Sequence, residues 1–241
     1  MVILTILMCV VSALYGTAGQ AGGSGFVAVM TFATFPIDEI RATALALNII
    51  AASYATLQAH RMKSVDWPLL RNLVAASVPA ALIGGMVVLR GPVYSAVTGA
   101  LLLLVSILMV VRKSNTKTSS LKRGPALVAG AATGFASGIT GVGGGIFMSS
   151  VLILLGKASP KKTAALSPPF ILVNSLAALV GVFVTGQRIP VAALPFAGAV
   201  IVGSAIGIAI GLRWMSELAI RYVLAAILLA GAAQMLTRVF A

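Results

Sequence analysis

The hydrophobic positions of this chain come in long blocks separated by short polar stretches. Runs at Ala42 to Ala59, Pro68 to Leu89, Val93 to Val111, Ala165 to Thr185, Val191 to Gly211 and Leu218 to Val239 approach the roughly 20 residues a helix needs to cross a hydrocarbon core of about 30 Å. Each predicts a membrane-spanning helix. Two further apolar regions, 2–35 and 125–156, are interrupted by glycines, and pieces such as Val2 to Tyr15 and Ile146 to Leu155 are too short for easy single crossings. The pattern predicts an all-α, polytopic integral membrane protein. Composition agrees: with 60% hydrophobic and 9% charged residues, a water-soluble domain of 241 residues would lack polar surface.

An internal repeat organises the blocks. Shifting the sequence by 122 residues lays Gly16, Gly19, Gly22 and Gly23 on Gly138, Gly141, Gly144 and Gly145. Ser53 then falls on Ser175, Pro68 of "VDWPLL" on Pro190 of "RIPVAAL", and Gly85 on Gly207. Matched glycines and a shared proline at one offset mark a repeat architecture. The first repeat covers 1–111 and the second 125–241, joined by a basic linker at 112–124, "RKSNTKTSSLKRG".

Charge decides how the repeats are oriented. The net charge of +13 on a soluble protein would suggest nucleic acid. Here the basic residues lie between apolar runs, where they fix orientation, so no nucleic-acid partner is expected. If the first run of each half crossed once, ten basic residues would share the linker's side and seven the other. If each is instead a broken hairpin returning to its own side, the split becomes thirteen to four, with only Arg41, Arg90, Arg188 and Arg238 opposite the linker. The positive-inside rule favours the second arrangement. It makes the halves inverted repeats, each with one glycine-centred re-entrant hairpin and three full spans.

The stretch "GITGVGGGIF", Gly138 to Phe147, then acquires a purpose. Glycine costs about 1 kcal/mol per residue in a helix relative to alanine, and irregular backbone at membrane depth is tolerated only where protein buries it or it lines a cavity. A break leaves free N–H groups at the start of the next half-helix, which carries roughly half a positive charge and suits an anion. "GVGGGIF" and its counterpart "GQAGGSGF", Gly19 to Phe26, are thus expected to face each other near the midplane. The competing use of such glycines is close helix packing. That use is expected for Gly203, Gly207 and Gly211, spaced by four on one helix.

The motifs "GFASGITGVGGGIF", the weaker "GTAGQAGG" and the "VDW" after the second apolar run resemble the sulfite exporter TauE/SafE family across essentially the whole chain. The first-half copy departs at Gln20 and Ala21. The resemblance implies transport of small anions, mostly sulfur-containing oxyanions, sulfonates and related organic anions.

The expected substrate-binding residues are Gly19, Gln20, Gly22, Gly23 and Ser24 of the first break, and Thr140, Gly141, Gly143, Gly144 and Gly145 of the second. Asn48, Ser167 and Asn174 join them from neighbouring spans. The amides qualify because a buried carboxamide must find partners, with interhelical hydrogen bonding as the competing use. Ser167 precedes Pro168-Pro169, a pair that frees helix carbonyls and predicts a bend. His60, Trp67, Trp214 and Tyr222 read as interfacial residues. One His, one Cys and four scattered acids offer no metal constellation and no cofactor is expected. With a single cysteine, Cys9, no internal disulfide forms. Residues 2–15 lack the basic start and small-residue cleavage site of a signal peptide and are expected to belong to the mature fold.

The leading expectation is a multi-pass transporter of a small anion in the cell (inner) membrane. An intramembrane enzyme is not expected, because no Ser/His/Asp set or paired carboxylates lie at membrane depth. A passive anion channel of the same architecture is the alternative. The partners expected are the anion and the lipid bilayer, and a homodimer is compatible with the sequence.

Overall fold

A computed structural model of the chain describes residues 1–89, 91–111, 121–214 and 216–237. Among these residues the fold is entirely helical. The first half contains α1 (Val2–Thr17), α2 (Gly23–Phe32), α3 (Ile37–Arg61), α4 (Trp67–Met86) and α5 (Gly91–Val111). The second contains α6 (Arg123–Thr140), α7 (Gly145–Leu154), α8 (Pro160–Val184), α9 (Leu194–Trp214), preceded by a 3-10 turn at Val191–Ala193, and α10 (Glu217–Thr237). Helices α3, α4, α8 and α9 are long and apolar enough to cross a bilayer. The two broken segments appear as the pairs α1–α2 and α6–α7, separated at 18–22 and 141–144.

Glycine-to-backbone contacts fix the direction of the helices. A Cβ at Gly203, Gly207 or Gly211 of α9 would lie closer than 3.0 Å to the carbonyl oxygens of Cys9, Ala13 and Thr17 of α1, respectively. The numbers rise together, so α1 and α9 run parallel. On α6, Gly130, Gly134 and Gly138 press in the same way on the carbonyls of Leu73, Ser77 and Ala81, so α6 and α4 are parallel too. The first helix of each half thus lies along the fourth helix of the other. The spacing of four at Gly203, Gly207 and Gly211 is a packing stripe, as the sequence indicates. The matching stripe on α6 takes in Gly138, so the glycines before the second break have a packing role. Helices α5 and α10 run antiparallel, Gly99 meeting Leu236 and Ser106 Oγ donating to Ala225 O at 2.9 Å.

Both broken segments return to the end they enter from. Ala126 and Ala129 near the start of α6 share one core cluster with Leu152 at the end of α7, and with Ala59, Val65, Leu70 and Ala158. That end also holds Arg61, Lys63, Lys161 and Lys162, and is here called the basic end. Leu4 and Met8 of α1 pack with Met30 of α2, Ile40 of α3 and Phe196 of α9, and the Phe35 and Phe196 rings lie 6.3 Å apart. The first hairpin therefore enters from the opposite end, and the two halves are inverted repeats. Arg90, most of the 112–124 linker and Arg238 lie outside the described residues.

Two expectations change in detail. Pro168 and Pro169 lie inside a continuous α8 and do not divide it; lacking an N–H, Pro168 leaves the Ala164 carbonyl without its helical donor. Arg41, counted among the loop charges opposite the linker, is 2% exposed, because its guanidinium reaches the carbonyls at the end of α4. At the basic end, Asp66 caps α4 by accepting from Leu69 N at 3.1 Å and pairs with Lys162 at 2.7 Å. His60 packs edge-on against Trp67 at 5.7 Å, and Trp67 and Tyr222 are exposed as interfacial side chains would be. The Trp214 side chain lies outside the described residues.

Single cysteines on a Cys9→Ser background test the arrangement. Ser64→Cys and Lys161→Cys should resist impermeant thiol reagents on intact cells, whereas Arg188→Cys should react. Labelling of Lys161→Cys from outside while Ser64→Cys stays protected would exclude the inverted hairpins. The ion pair gives a second expectation. The hydrogen bond from Lys162 holds the Asp66 carboxyl below its usual range. The resulting stability is present above the ordinary aspartate value of about 3.9 and is lost as pH falls through the depressed one. Asp66→Asn keeps the cap and removes the charge, so it should cost about 0.2–1 kcal/mol near neutral pH. Thermal unfolding in detergent should show this gap at pH 7 and should show it closing as pH falls through the depressed carboxyl range.

Candidate functional site

The two breaks meet between the halves. Gly22 begins the first return helix with φ 115°, and Gly141, Gly143 and Gly144 hold φ of 76°, 87° and 77° at the second. These left-handed values favour glycine because a Cβ would crowd the following carbonyl. They turn the chain sharply enough for α2 and α7 to start beside the helices that precede them. A Cβ at Gly23 would run into the Val142 carbonyl of the other break, and one at Gly143 would lie 2.8 Å from Asn48 Nδ2. Only glycine lets the two backbones approach this closely.

Polar side chains collect at the junction. Gln20 Nε2 donates to Ser167 Oγ at 2.9 Å and to Ser149 Oγ at 3.2 Å, and the two hydroxyls are 2.7 Å apart. Ser167 Oγ donates in turn to Thr163 O at 2.8 Å. Asn48 Nδ2 points to Gly141 O at 3.4 Å, and Asn174 Nδ2 donates to Phe170 O at 2.8 Å. Several buried atoms here have no hydrogen-bond partner: Gln20 Oε1, Asn48 Oδ1, Asn174 Oδ1, Ser137 Oγ and Ser175 Oγ. An unpaired buried polar atom costs about 1–3 kcal/mol, and a group of them asks for an explanation in water or ligand. Gln20 Oε1 would be 2.7 Å from a Cβ at Gly145, so this amide oxygen lies against the first turn of α7. The N–H groups of that turn precede the first intrahelical bond, Met148 N to Gly144 O, and leave a partial positive charge there.

The structure therefore brings together Gln20, Gly23, Asn48, Gly141, Gly143, Gly145 and Ser167, and adds Ser149 and Ser175. Ser149 lies in the second broken segment and Ser175 repeats Ser53 in sequence, which was the signal for each. Other expected residues are occupied elsewhere. Ser24 shares a short hydrogen bond with Tyr15 inside the first hairpin. Thr140 Oγ1 donates to Ala136 O at 2.7 Å and accepts from Val142 N at 3.3 Å, so its hydroxyl closes α6. Gly22 faces the Phe26 ring, Gly144 faces Ser137 and Phe170, and Gly19 sits on the Ala164 carbonyl freed by Pro168. Asn174 binds its own helix, with its oxygen unpaired.

Two cavities approach this layer from opposite ends. One of about 380 Å³ opens at the basic end and reaches Gly19 and Pro168, with Gln58 and Lys161 on its wall. The other, about 350 Å³, opens at the far end and is bounded by Arg41, Tyr94 and the 185–187 turn. Between them stand the breaks: Tyr94 Oη donates to Thr140 O at 2.6 Å, and Arg41 packs on Gly141.

Broken helices from inverted halves, meeting between cavities that open to opposite sides, are a transporter architecture, and the sequence comparisons agree. The profile of the sulfite exporter TauE/SafE family matches residues 4–235. The chain belongs to the TauE/SafE family. It is also similar to a probable membrane transporter protein, y4hK, of Sinorhizobium fredii, with 34% identity over 239 residues and 97% of each chain covered. No solved structure matches it. The protein is thus a multi-pass membrane transporter of the TauE/SafE family, and the resemblance read from the glycine motifs holds across both repeats.

The Gln20–Ser167 bond joins the first break to α8 and should be measurable. Gln20→Leu and Ser167→Ala should each lower stability by about 1 kcal/mol. The double variant should lose less than the sum, by about 0.5 kcal/mol or more, because both remove the same contact. Thermal unfolding of the four proteins in one detergent checks this; strict additivity would mean the bond contributes nothing.

Proposed function

We propose that the protein exports a small anion, a sulfur-containing oxyanion or organosulfonate, across the cell (inner) membrane by alternating access. The observation that carries this reading is the meeting of two glycine breaks, ringed by buried polar atoms without partners, between two cavities that open to opposite ends. The first turn of α7 supplies positive potential and backbone donors to an anion. Gln20, the point at which the first glycine motif departs from the second, lies against that turn. In this conformation its amide oxygen stands where an anionic oxygen would.

The unpaired atoms add a condition on the substrate. Gln20 Oε1, Asn48 Oδ1 and Asn174 Oδ1 are acceptors. An oxyanion is held only if the carboxamides rotate to present their NH2 groups, or if the substrate or accompanying water brings donors of its own. Rotation breaks the Gln20 bonds to Ser149 and Ser167, which ties binding to release of the first break from α8.

Packed protein between the cavities favours a carrier over a passive channel. The four acids fit an uncomplicated energy source. Asp38, Glu39, Asp66 and Glu217 lie at helix ends or in caps, away from the depth at which proton- and sodium-coupled carriers commonly place a carboxylate. A membrane potential of about 100 mV, negative inside, drives each negative charge outward with about 2.3 kcal/mol.

Proteoliposomes loaded in turn with sulfite, thiosulfate, an organosulfonate and a carboxylate test the reading. An accepted anion on the far side should accelerate efflux, and a potassium–valinomycin potential, negative inside, should accelerate it further. Efflux without trans-stimulation would identify a channel. Transport indifferent to voltage but dependent on a sodium or proton gradient would refute the energetics.

A further inference from the structure

Arg41 is a second place where the fold holds uncompensated positive charge. Its side chain is 2% exposed. Its guanidinium donates to Val87 O at 2.7 Å, to Gly84 O at 3.1 Å and to Gly85 O. These are the last carbonyls of α4, whose end carries only about half a negative charge. No carboxylate within the described residues pairs with Arg41; the ion pair found there is Lys162–Asp66. Its Nε has no partner. A buried cation normally requires a counter-charge, and here that requirement is unmet at the inner end of the 350 Å³ cavity. Asp38, one turn earlier on α3, is on the same wall but exposed, outside ion-pair reach. The other lining groups, Tyr94, Thr185 and Gln187, are neutral, and Gln187 Oε1 is also unpartnered. Arg41 packs directly on Gly141, the first residue of the second break.

We propose that Arg41 forms a second anion-binding station, on the side of the breaks away from the basic end, where a sulfonate-like oxyanion rests as it leaves or reaches the central layer. The site so assigned rests on the anion-transporter reading above. Holding α4's carbonyls fixes the guanidinium in place, and the missing counter-charge is supplied by the passing anion. A purely structural Arg41 would cap α4 and leave the cavity's potential unimportant.

The test needs no knowledge of the transported anion and no transport. On a Cys9→Ser background, Val88→Cys places a thiol on the cavity wall. In proteoliposomes the thiol is modified with two methanethiosulfonate reagents, one bearing a sulfonate and one a trimethylammonium. Rates are compared with those at the exposed Arg188→Cys. The anionic-to-cationic rate ratio should be about tenfold higher at residue 88, the size expected from one fixed charge at close range. Arg41→Lys should keep most of that excess and Arg41→Gln should abolish it. Methanesulfonate should slow labelling of residue 88 when Arg41 is present and not in Arg41→Gln. If Arg41→Gln lowers thermal stability but leaves the ratio and the protection unchanged, Arg41 is only a cap and the proposal fails. If that variant does not fold, the ratio with Arg41 in place decides: equality with the exposed control overturns the proposal. A normal ratio shift without any anion transport would instead refute the transporter reading and leave this charge standing.

Discussion

The rest of the structure depends on one constraint: a helix broken inside a membrane must find other protein to cover its exposed backbone. Each half of this chain contains such a break, and neither half can cover its own. Gly23 and Val142 place the two breaks in mutual contact, and Asn48 closes the gap from α3. Inversion follows, because only oppositely directed hairpins bring two half-helix starts to one layer while their loops return to opposite ends. The glycine stripes serve the same end. They let α9 and α6 approach the backbones of α1 and α4 closely, which holds each hairpin against the other half.

The two stripes share their crossing point and differ around it. Gly16 of α1 meets Gly207 of α9, and their repeat counterparts Gly138 of α6 and Gly85 of α4 meet in turn. Beyond that point the stripe continues on α9 in one pair, at Gly203 and Gly211, and on α6 in the other, at Gly130 and Gly134. Duplicated architecture can therefore outlast divergence of the residues that sustain it. The breaks have diverged too. The second has three left-handed glycines in four residues, whereas the first places Gln20 and Ala21 in the corresponding stretch. The result is an asymmetric layer: a positive half-helix end from the second half, faced by a carboxamide from the first.

Electrostatics gives that layer a direction. One cavity opens among the lysines of the basic end, and the other ends on a single buried guanidinium. On the function proposed above, an anion moving between them would meet cationic or dipolar partners at three depths: Lys161, the start of α7, and Arg41. None is paired so strongly that an anion would be excluded by a competing carboxylate. Several stations in series would suit such passage, because tight binding at any one depth slows release.

Much of the architecture was legible in the sequence because it follows from one-dimensional patterns. Apolar block length gives the spans, the offset of matched glycines gives the repeat, and the distribution of Lys and Arg between blocks gives the re-entrant hairpins and their inversion. The facing of Gln20, Asn48, Ser167 and the second glycine run could be anticipated as well, since buried amides and helix breaks have few places to go. What the sequence could not assign was the partner of each polar group. Ser24 turns to Tyr15 and Thr140 to its own helix, while Ser149 and Ser175 enter the layer, and their residue types do not distinguish these fates. Arg41 shows the limit most clearly. By charge it belongs among loop residues. The end of α4 and the second break bury it, because the Gly84, Gly85 and Val87 carbonyls offer a guanidinium what water would otherwise provide. Such compensation between distant segments is a property of tertiary packing, and only the folded structure decides it.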